Sequence, residues 1–150
     1  MIAFPDMSFL CALYVRQENS AAAAAHFQAM PEVLHVSGLL VYEFRQSVRF
    51  QVWLNARNNS KGYPQNIAEA ALAKFQANMD AGALVVVKAD WPDVHRLAET
   101  LSNRYTIAGG HRSLDILHLA TALHMGATEF LTFDANQRKL AVAEKLKVKP

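Results

Sequence analysis

The sequence predicts an α/β protein in which helices cover both faces of a central parallel sheet of four to five strands. Short apolar runs of strand length alternate with longer stretches that have a helical pattern, and this alternation is typical of βαβ units with right-handed crossovers. The chain has 150 residues and no composition shift that would mark a boundary. We therefore expect a single domain over residues 1–150.

Composition excludes several classes of protein. Apolar residues make up 52% of the chain and charged residues 19%, which excludes disordered and collagen-like chains. The net charge of +2 does not by itself indicate nucleic-acid binding. The single cysteine, Cys11, cannot form an internal disulfide, and Met1–Ser8 lacks the basic region of a signal peptide. We therefore expect a cytoplasmic protein, with Cys11 as an inert core residue.

The chain begins with a strand and two helices. Ile2–Phe4 is a short apolar strand, and Pro5 ends it because proline lacks the N–H group that a strand interior needs. Ser8–Arg16 is predicted as a helix with its first serine as the N-cap. Ser20–Met30 is predicted as a second helix, also capped by its first serine, because alanine, which forms a run there, is the best helix former.

The middle of the chain repeats this alternation. Val33–Val36 is predicted as a strand, and Gly38–Ala56 as a long helix. Asn58–Pro64 is rich in turn-forming residues and is therefore a loop. Gln65–Ala81 is predicted as a helix closed by a glycine, and Leu84–Val87 is a continuous apolar run, as buried parallel strands show.

The last third contains two further strands. Trp91–Asn103 is predicted as a helix, with an aspartate before it and a proline in its first turn. Tyr105–Arg112 contains two adjacent glycines and is predicted as a loop. Leu114–Met125 is apolar on nearly every side and is therefore a buried helix. The remaining predicted elements are a strand at Phe130–Phe133, a helix at Gln137–Leu146 and a short edge strand around Val148.

Two acidic residues follow predicted strands. Asp6 follows the first strand and Asp134 the fourth. The carboxyl ends of parallel strands share one edge of the sheet, and ligands bind outside that edge. We therefore place both carboxylates at a candidate site, although an N-cap role would also explain each of them.

Two more acidic residues lie on predicted helices. Glu43 has no lysine or arginine three or four positions away, which is unusual for a solvated helix carboxylate. Asp115 lies in the first turn of the apolar helix, where the helix dipole alone would also favour it. An exposed position for Glu43 and a purely structural role for Asp115 remain the alternatives.

If the four acids converge, they need a cation. Two carboxylates 4 Å apart repel by roughly 4 kcal/mol at an effective dielectric constant of 20. The sequence offers no set of arginines to neutralise all four, whereas a divalent cation would. Oxygen ligands favour Mg²⁺ or Mn²⁺, and such ions serve phosphoryl chemistry.

Four segments of the chain together resemble the PIN domain. They are Asp6-Met7-Ser8, Leu39–Phe44, Arg112–Ala120 and Phe130–Asp134. More narrowly, the chain is similar to the VapC-type toxins of bacterial type II toxin–antitoxin pairs, over almost its whole length. The resemblance implies a three-layer α/β/α sandwich, endoribonuclease activity with Mg²⁺ or Mn²⁺, a homodimer, and a small antitoxin whose tail blocks the acidic pocket.

The resemblance also implies roles for individual residues. The family's metal-binding acids correspond to Asp6, Glu43, Asp115 and Asp134, with Glu43 binding a metal-bound water or acting as general base. Its two catalytic hydroxyl groups correspond to Ser8 and Thr132. The chain departs from the family pattern at Pro5 and Met7, and no acidic residue follows in Ala135–Gln137, which leaves the number of ions open.

Other polar and aromatic residues permit two interpretations each. Arg45, Arg49 and Arg112 would form a basic rim for RNA phosphates, or a solvated face. His111, Asp115 and His118 have the spacing of a zinc-binding helix face, but a satisfied or exposed histidine is the simpler interpretation. Trp53 and Trp91 are predicted as core or interface anchors, because single-stranded nucleic-acid binders usually cluster their aromatic residues.

Two other functions compete with a ribonuclease. The first is a catalytically inactive PIN-fold module that binds RNA or a protein. The second is a phosphoryl-accepting receiver-like domain, which also groups acids at a sheet edge but needs paired acids after the first strand.

Overall fold

The computed structural model describes residues 1–150 and contains five strands and seven helices. In chain order these are β1 Ala3–Pro5, α1 Met7–Tyr14, α2 Ser20–Ala29, β2 Leu34–Ser37, α3 Gly38–Arg57, α4 Gln65–Asp80, β3 Leu84–Val87, α5 Trp91–Gly109, α6 Ser113–His124, β4 Glu129–Leu131, α7 Ala135–Ala143 and β5 Lys147–Lys149. The predicted α/β fold and the edge strand around Val148 are confirmed.

All five strands form one parallel sheet in the order β3-β2-β1-β4-β5. The chain proceeds from β1 to β3 in one direction, and then returns to place β4 on the other side of β1. The junction of β1 and β4, where Pro5 is in register with Leu131, is therefore a switch point of the kind at which α/β proteins bind ligands. Receiver-type folds have the order 2-1-3-4-5, so the receiver-like alternative is wrong.

The helices form two groups that right-handed crossovers place on opposite faces of the sheet. Helix α1 packs against α2, α3 and α4, while α5 packs against α6 and α7 against β5. The core includes an aromatic cluster of Tyr14, Phe44 and Phe75, whose ring centroids lie 4.6–5.6 Å apart. This cluster fixes α3 against α1 and α4.

The structure corrects one loop and one strand. Helix α5 continues to Gly109, so most of the predicted loop Tyr105–Arg112 is helical. Gly110 ends the helix in a left-handed conformation (φ 67°), which is the usual role of a glycine after a helix. Strand β4 ends at Leu131, so Thr132 and the residues after it lie beyond the strand.

The two predicted serine caps are also wrong. The carboxylate of Asp6 caps α1 by accepting from the Phe9 N–H, and Ser8 lies inside the first turn. Ser20 is the first residue of α2, and its hydroxyl group accepts from the Gln17 N–H instead of capping the helix.

None of the helices is long and apolar enough to cross a membrane.

Candidate active site

Asp6 lies at the carboxyl end of β1 and is only 3% exposed. Its Oδ1 accepts hydrogen bonds from the Phe9 N–H (3.0 Å) and the Ser8 hydroxyl (2.6 Å). Its Oδ2 accepts from the Thr132 hydroxyl (2.5 Å). Burial raises the pKa of Asp6; these three hydrogen bonds oppose the rise, and the charge of Asp134 adds to it. The ionised side chain therefore lies where an unpaired negative charge is costly.

The hydroxyl groups of Ser8 and Thr132 join Asp6 to the segment after β4. Ser8 Oγ accepts from the Phe133 N–H (2.8 Å), and Thr132 Oγ1 accepts from the Asp134 N–H (2.9 Å). The two hydroxyl oxygens are 3.2 Å apart. Both predicted hydroxyl groups thus contact the first acid, and they fix the backbone that carries the fourth.

Asp134 occupies the start of α7. Its Oδ1 accepts from the Asn136 and Gln137 N–H groups, each at 2.8 Å, so it is the N-cap of this helix. Asp6 and Asp134 are therefore both caps and neighbours at the switch point. The two interpretations of these residues are compatible, because a carboxylate has about four lone-pair sites and a cap occupies only some of them.

Asp115 forms an ion pair with Arg112. The Arg112 Nε lies 2.8 Å from Asp115 Oδ2. The hydrogen bond that Arg112 donates to Asp115 and the charge of Asp115 raise the pKa of Arg112, and the charges of Asp134 and Glu43 contribute further. One arginine therefore compensates Asp115, whereas Asp6 and Asp134 form no ion pair.

Glu43 contacts His118 of the facing helix. His118 is 1% exposed, its Nε2 contacts Glu43 Oε2, and its Nδ1 has no hydrogen-bond partner. His118 follows Asp115 by three positions on α6, so both side chains lie on the same side of that helix. A zinc-binding role with His111 finds no support, because His118 is turned toward Glu43. This pairing was missed from the sequence, where the signal is a histidine one turn after Asp115 on an otherwise apolar helix.

Gln137 is a second residue that sequence reasoning missed. It is buried, and its Nε2 donates to the Asp115 carbonyl oxygen (3.2 Å), while its Oε1 has no partner. The amide thereby links α7, which begins after Asp134, to the first turn of α6. Gln137 belongs to the segment Ala135–Gln137, which contains no acidic residue in addition to Asp134.

The charges of the four acids act on a common region, but their side chains do not surround a single point. Burial, followed by the charges of Asp6 and Glu43, raises the pKa of Cys11 to about 11, so this thiol stays protonated at neutral pH. A cavity beside them is lined by Met7, Glu43 and Arg112–Asp115. No three histidine, cysteine, aspartate or glutamate side chains lie close enough together in this arrangement to hold a metal ion.

The three arginines of the predicted rim have different surroundings. Arg45 donates to Gln76 Oε1 (2.6 Å) and lies over the Phe75 ring, so it faces α4. Arg112 pairs with Asp115, whereas Arg49 is exposed on α3. A common basic rim formed by all three stays a prediction.

Comparison with solved structures shows the same fold across the whole chain. VapC20 of Mycobacterium tuberculosis, described as a sarcin–ricin loop cleaving toxin, is 21% identical with a TM-score of 0.59, and 99% of each chain is covered. FitAcB of Neisseria gonorrhoeae is 15% identical with a TM-score of 0.66, covering 99% of this chain and 97% of the other. VapBC2 of Rickettsia felis, bound to a DNA fragment from its promoter, is 11% identical with a TM-score of 0.68, covering 99% and 98%.

Sequence comparison identifies the family. No protein with a curated description matches the chain significantly in sequence. The sequence profile of the PIN domain matches residues 3–143, which include all four acidic residues and both hydroxyl groups of the site. The chain therefore belongs to the PIN domain family.

Proposed function

We propose that this PIN-domain protein is a Mg²⁺- or Mn²⁺-dependent endoribonuclease that hydrolyses RNA phosphodiester bonds as the toxin of a type II toxin–antitoxin pair. The observation that carries the proposal is the buried carboxylate of Asp6 at the β1/β4 switch point. It has no basic partner, and Asp134 lies near enough for its charge to raise the pKa of Asp6.

The donor atoms of these side chains fit a hard divalent cation, and the carboxylates would have to move closer together to share it. Every donor on Asp6, Ser8, Thr132 and Asp134 is an oxygen atom, and oxygen is the donor that Mg²⁺ and Mn²⁺ prefer. Neither Asp6 nor Asp134 forms an ion pair that would already satisfy its charge. Asp6, Asp115 and Asp134 would hold the ion, with Asp115 exchanging Arg112 for it. Ser8 and Thr132 would keep the Asp6 oxygens oriented.

The protein's own groups would then manage the proton and the substrate. A bound divalent ion supplies Lewis-acid activation of water and compensates charge on the phosphate. His118 orients one oxygen of Glu43, so the other would accept a proton from the attacking water as general base. The water oxygen would form a bond to phosphorus as the bond to the leaving ribose oxygen breaks, and that oxygen would take up a proton.

The first test compares RNA cleavage with Mg²⁺, with EDTA and in Asp115→Asn. We expect cleavage only with Mg²⁺, and a loss of at least about 100-fold in the variant, because second-shell substitutions alone cost 10- to 100-fold. Asp80→Asn, an exposed aspartate on α4, is the matched control and should retain full activity. Cleavage that persists in EDTA and in Asp115→Asn would refute the proposal.

The contact between His118 and Glu43 leads to a second prediction. His118→Leu removes the group that orients Glu43, so we expect kcat to fall by roughly 10- to 100-fold while KM changes little. His118→Gln retains an N–H donor and should recover part of the loss. The control is His95→Leu, an exposed histidine on α5. A His118→Leu protein that is folded by circular dichroism and has the wild-type kcat would contradict this role.

The toxin role further implies a partner. FitAcB and VapBC2 share the fold of this chain, and VapC20, which also shares it, is described as a sarcin–ricin loop cleaving toxin. We propose that a small antitoxin binds this chain and that its tail blocks the acidic pocket of a homodimer. The most direct test is genetic. The product of a short neighbouring reading frame should relieve the toxicity of this chain when both are expressed together.

A catalytically inactive PIN module is the second candidate. The observation that favours it is the pairing of Asp115 with Arg112 and of Glu43 with His118, which already satisfies two of the four acids. This candidate predicts no Mg²⁺ binding. A calorimetric Mg²⁺ signal that is lost in Asp115→Asn would exclude it.

A further inference from the structure

Helix α3 carries an exposed ladder of two aromatic rings and one guanidinium group. Phe50 and Trp53 are each 48% exposed, and their rings stack with centroids 5.4 Å apart and planes 12° apart. The Arg57 guanidinium lies 3.9 Å from the centre of the Trp53 ring, and its Nη1 donates to the Trp53 carbonyl oxygen. We call Phe50, Trp53 and Arg57 the α3 ladder.

The ladder begins near the candidate active site and extends away from it. Phe50 and Arg57 follow Glu43 by seven and fourteen residues on one continuous helix, and so lie on nearly the same side of it. With a rise of 1.5 Å per residue, Phe50 is about 10 Å and Arg57 about 21 Å along the axis from Glu43. Phe50 precedes Trp53 by almost one turn, so its outer face points back toward Glu43.

The stretch of sequence that contains the ladder carries positive charge only. The chain contains no acidic residue between Glu43 and Glu69, but it contains Arg45, Arg49, Arg57 and Lys61 in that interval. Arg49 is exposed one position before Phe50. A ligand that matches this surface therefore combines flat apolar faces with negative charge.

We propose that the α3 ladder is a stacking site for unpaired bases of the RNA substrate, with Arg49 and Arg57 contacting its phosphates; this rests on the ribonuclease function proposed above. Bases stack on aromatic rings and on guanidinium planes irrespective of sequence. A second copy of this chain would bring identical arginines together, and RNA would bring the opposite charge. Trp53 is half exposed and is therefore not a core anchor. In the folded helix its ring stacks on Phe50, so the aromatic clustering typical of single-strand binders is present there although the sequence did not indicate it.

The test measures binding without cleavage. A fluorescein-labelled single-stranded oligouridylate is titrated with the full chain in EDTA, and its anisotropy is recorded. Phe50→Leu and Trp53→Leu keep apolar side chains but remove the π faces, so we expect each Kd to rise by roughly 5- to 150-fold. Arg57→Gln should lower the slope of log K against log salt by about 0.7, the contribution of one phosphate contact on a single strand.

Two exposed positions on α5 provide matched controls. Ile107→Ala and Arg96→Gln alter one exposed apolar and one exposed basic side chain, and both should leave the Kd unchanged. Circular dichroism melting checks that every variant is folded.

Three outcomes would overturn the proposal for the α3 ladder. They are no RNA binding by the wild-type chain, unchanged Kd values in both leucine variants, or ladder variants that lose a dimer in sedimentation while their RNA affinity is unchanged. The last outcome would show a contact between copies. A wild-type chain that binds RNA through the ladder but never cleaves it with Mg²⁺ would refute the nuclease alone. If the chain cleaves RNA but the ladder variants have the wild-type Kd, only the proposal for the α3 ladder would be refuted.

Discussion

Replacing Asp6 with asparagine is expected to reduce metal-dependent cleavage by at least about 100-fold and, in EDTA, to make the protein more stable by about 0.5–2 kcal/mol. Both effects have one cause. The carboxylate is buried without a cation, so its charge destabilises the metal-free fold, and under the proposed function the same charge would bind the metal ion. Asparagine removes the charge, and its hydrogen bonds can rearrange because Ser8 Oγ is within 3.2 Å of Thr132 Oγ1.

The raised pKa of Asp6 determines how the stability difference between Asp6→Asn and wild type changes with pH. Burial raises the pKa of Asp6 above its ordinary value of 3.8, so between these two pKa values the folded state binds more protons than the unfolded state. Asp6 therefore makes its full contribution to the free energy of unfolding below pH 3.8, and this contribution is lost as the pH rises through the folded-state pKa. The stability advantage of Asp6→Asn should be small near pH 4 and largest at neutral pH.

Denaturant unfolding in EDTA at several pH values measures this difference, and Asp80→Asn is the control because that carboxylate is exposed. A stability difference between Asp6→Asn and wild type that is zero or negative at pH 7 would contradict the account. Added Mg²⁺ should stabilise the wild type and leave the variant unchanged.

The second large effect is expected for Phe44→Ala, which should lower the free energy of unfolding by about 3–5 kcal/mol. Phe44 is fully buried and packs its ring 4.6 Å from Phe75 and 5.6 Å from Tyr14. Its removal would leave a cavity where α3 meets α1 and α4, and Glu43 is the preceding residue. Because domains are typically stable by only 5–15 kcal/mol, the loss would be a large fraction of the total.

Phe50→Ala on the same helix is the control, because that ring is half exposed and its loss should change stability by about 0.5 kcal/mol or less. Urea unfolding followed by far-ultraviolet circular dichroism compares the two variants. Similar midpoints for Phe44→Ala and Phe50→Ala would show that the aromatic cluster does not anchor α3.

The sequence predicted the strands well and the ends of helices less well, for physical reasons. Leu84–Val87 is confirmed as a strand with the predicted bounds, but the burial that its apolar run predicts is wrong, because β3 is an edge strand whose Val85 and Val86 are exposed. Helix α5 ends six residues later than predicted, because a glycine pair such as Gly109-Gly110 is typical of a loop. Only the second glycine adopts the left-handed conformation, and a helix tolerates the first in its last turn.

The site was predictable as far as it depends on topology. Asp6 and the segment of Asp134 meet because consecutive crossovers bring the ends of β1 and β4 side by side. The pairing of His118 with Glu43 was not predictable, since it depends on how α6 is oriented against α3. The pairing of Arg112 with Asp115, three positions apart, is local and could be predicted from spacing. Local spacing shows that two residues share a helix face, but it does not show which residues of another helix they meet.

The switch-point position of the site also determines when it can form during synthesis. Asp6 leaves the ribosome well before Thr132 and Asp134, which complete its surroundings, because Thr132 follows it by 126 residues. A nascent chain or a prematurely terminated product lacks β4, and with it the hydroxyl and backbone groups that fix the Asp6 carboxylate. If the protein is the toxin proposed above, fragments that end before β4 are expected to be harmless.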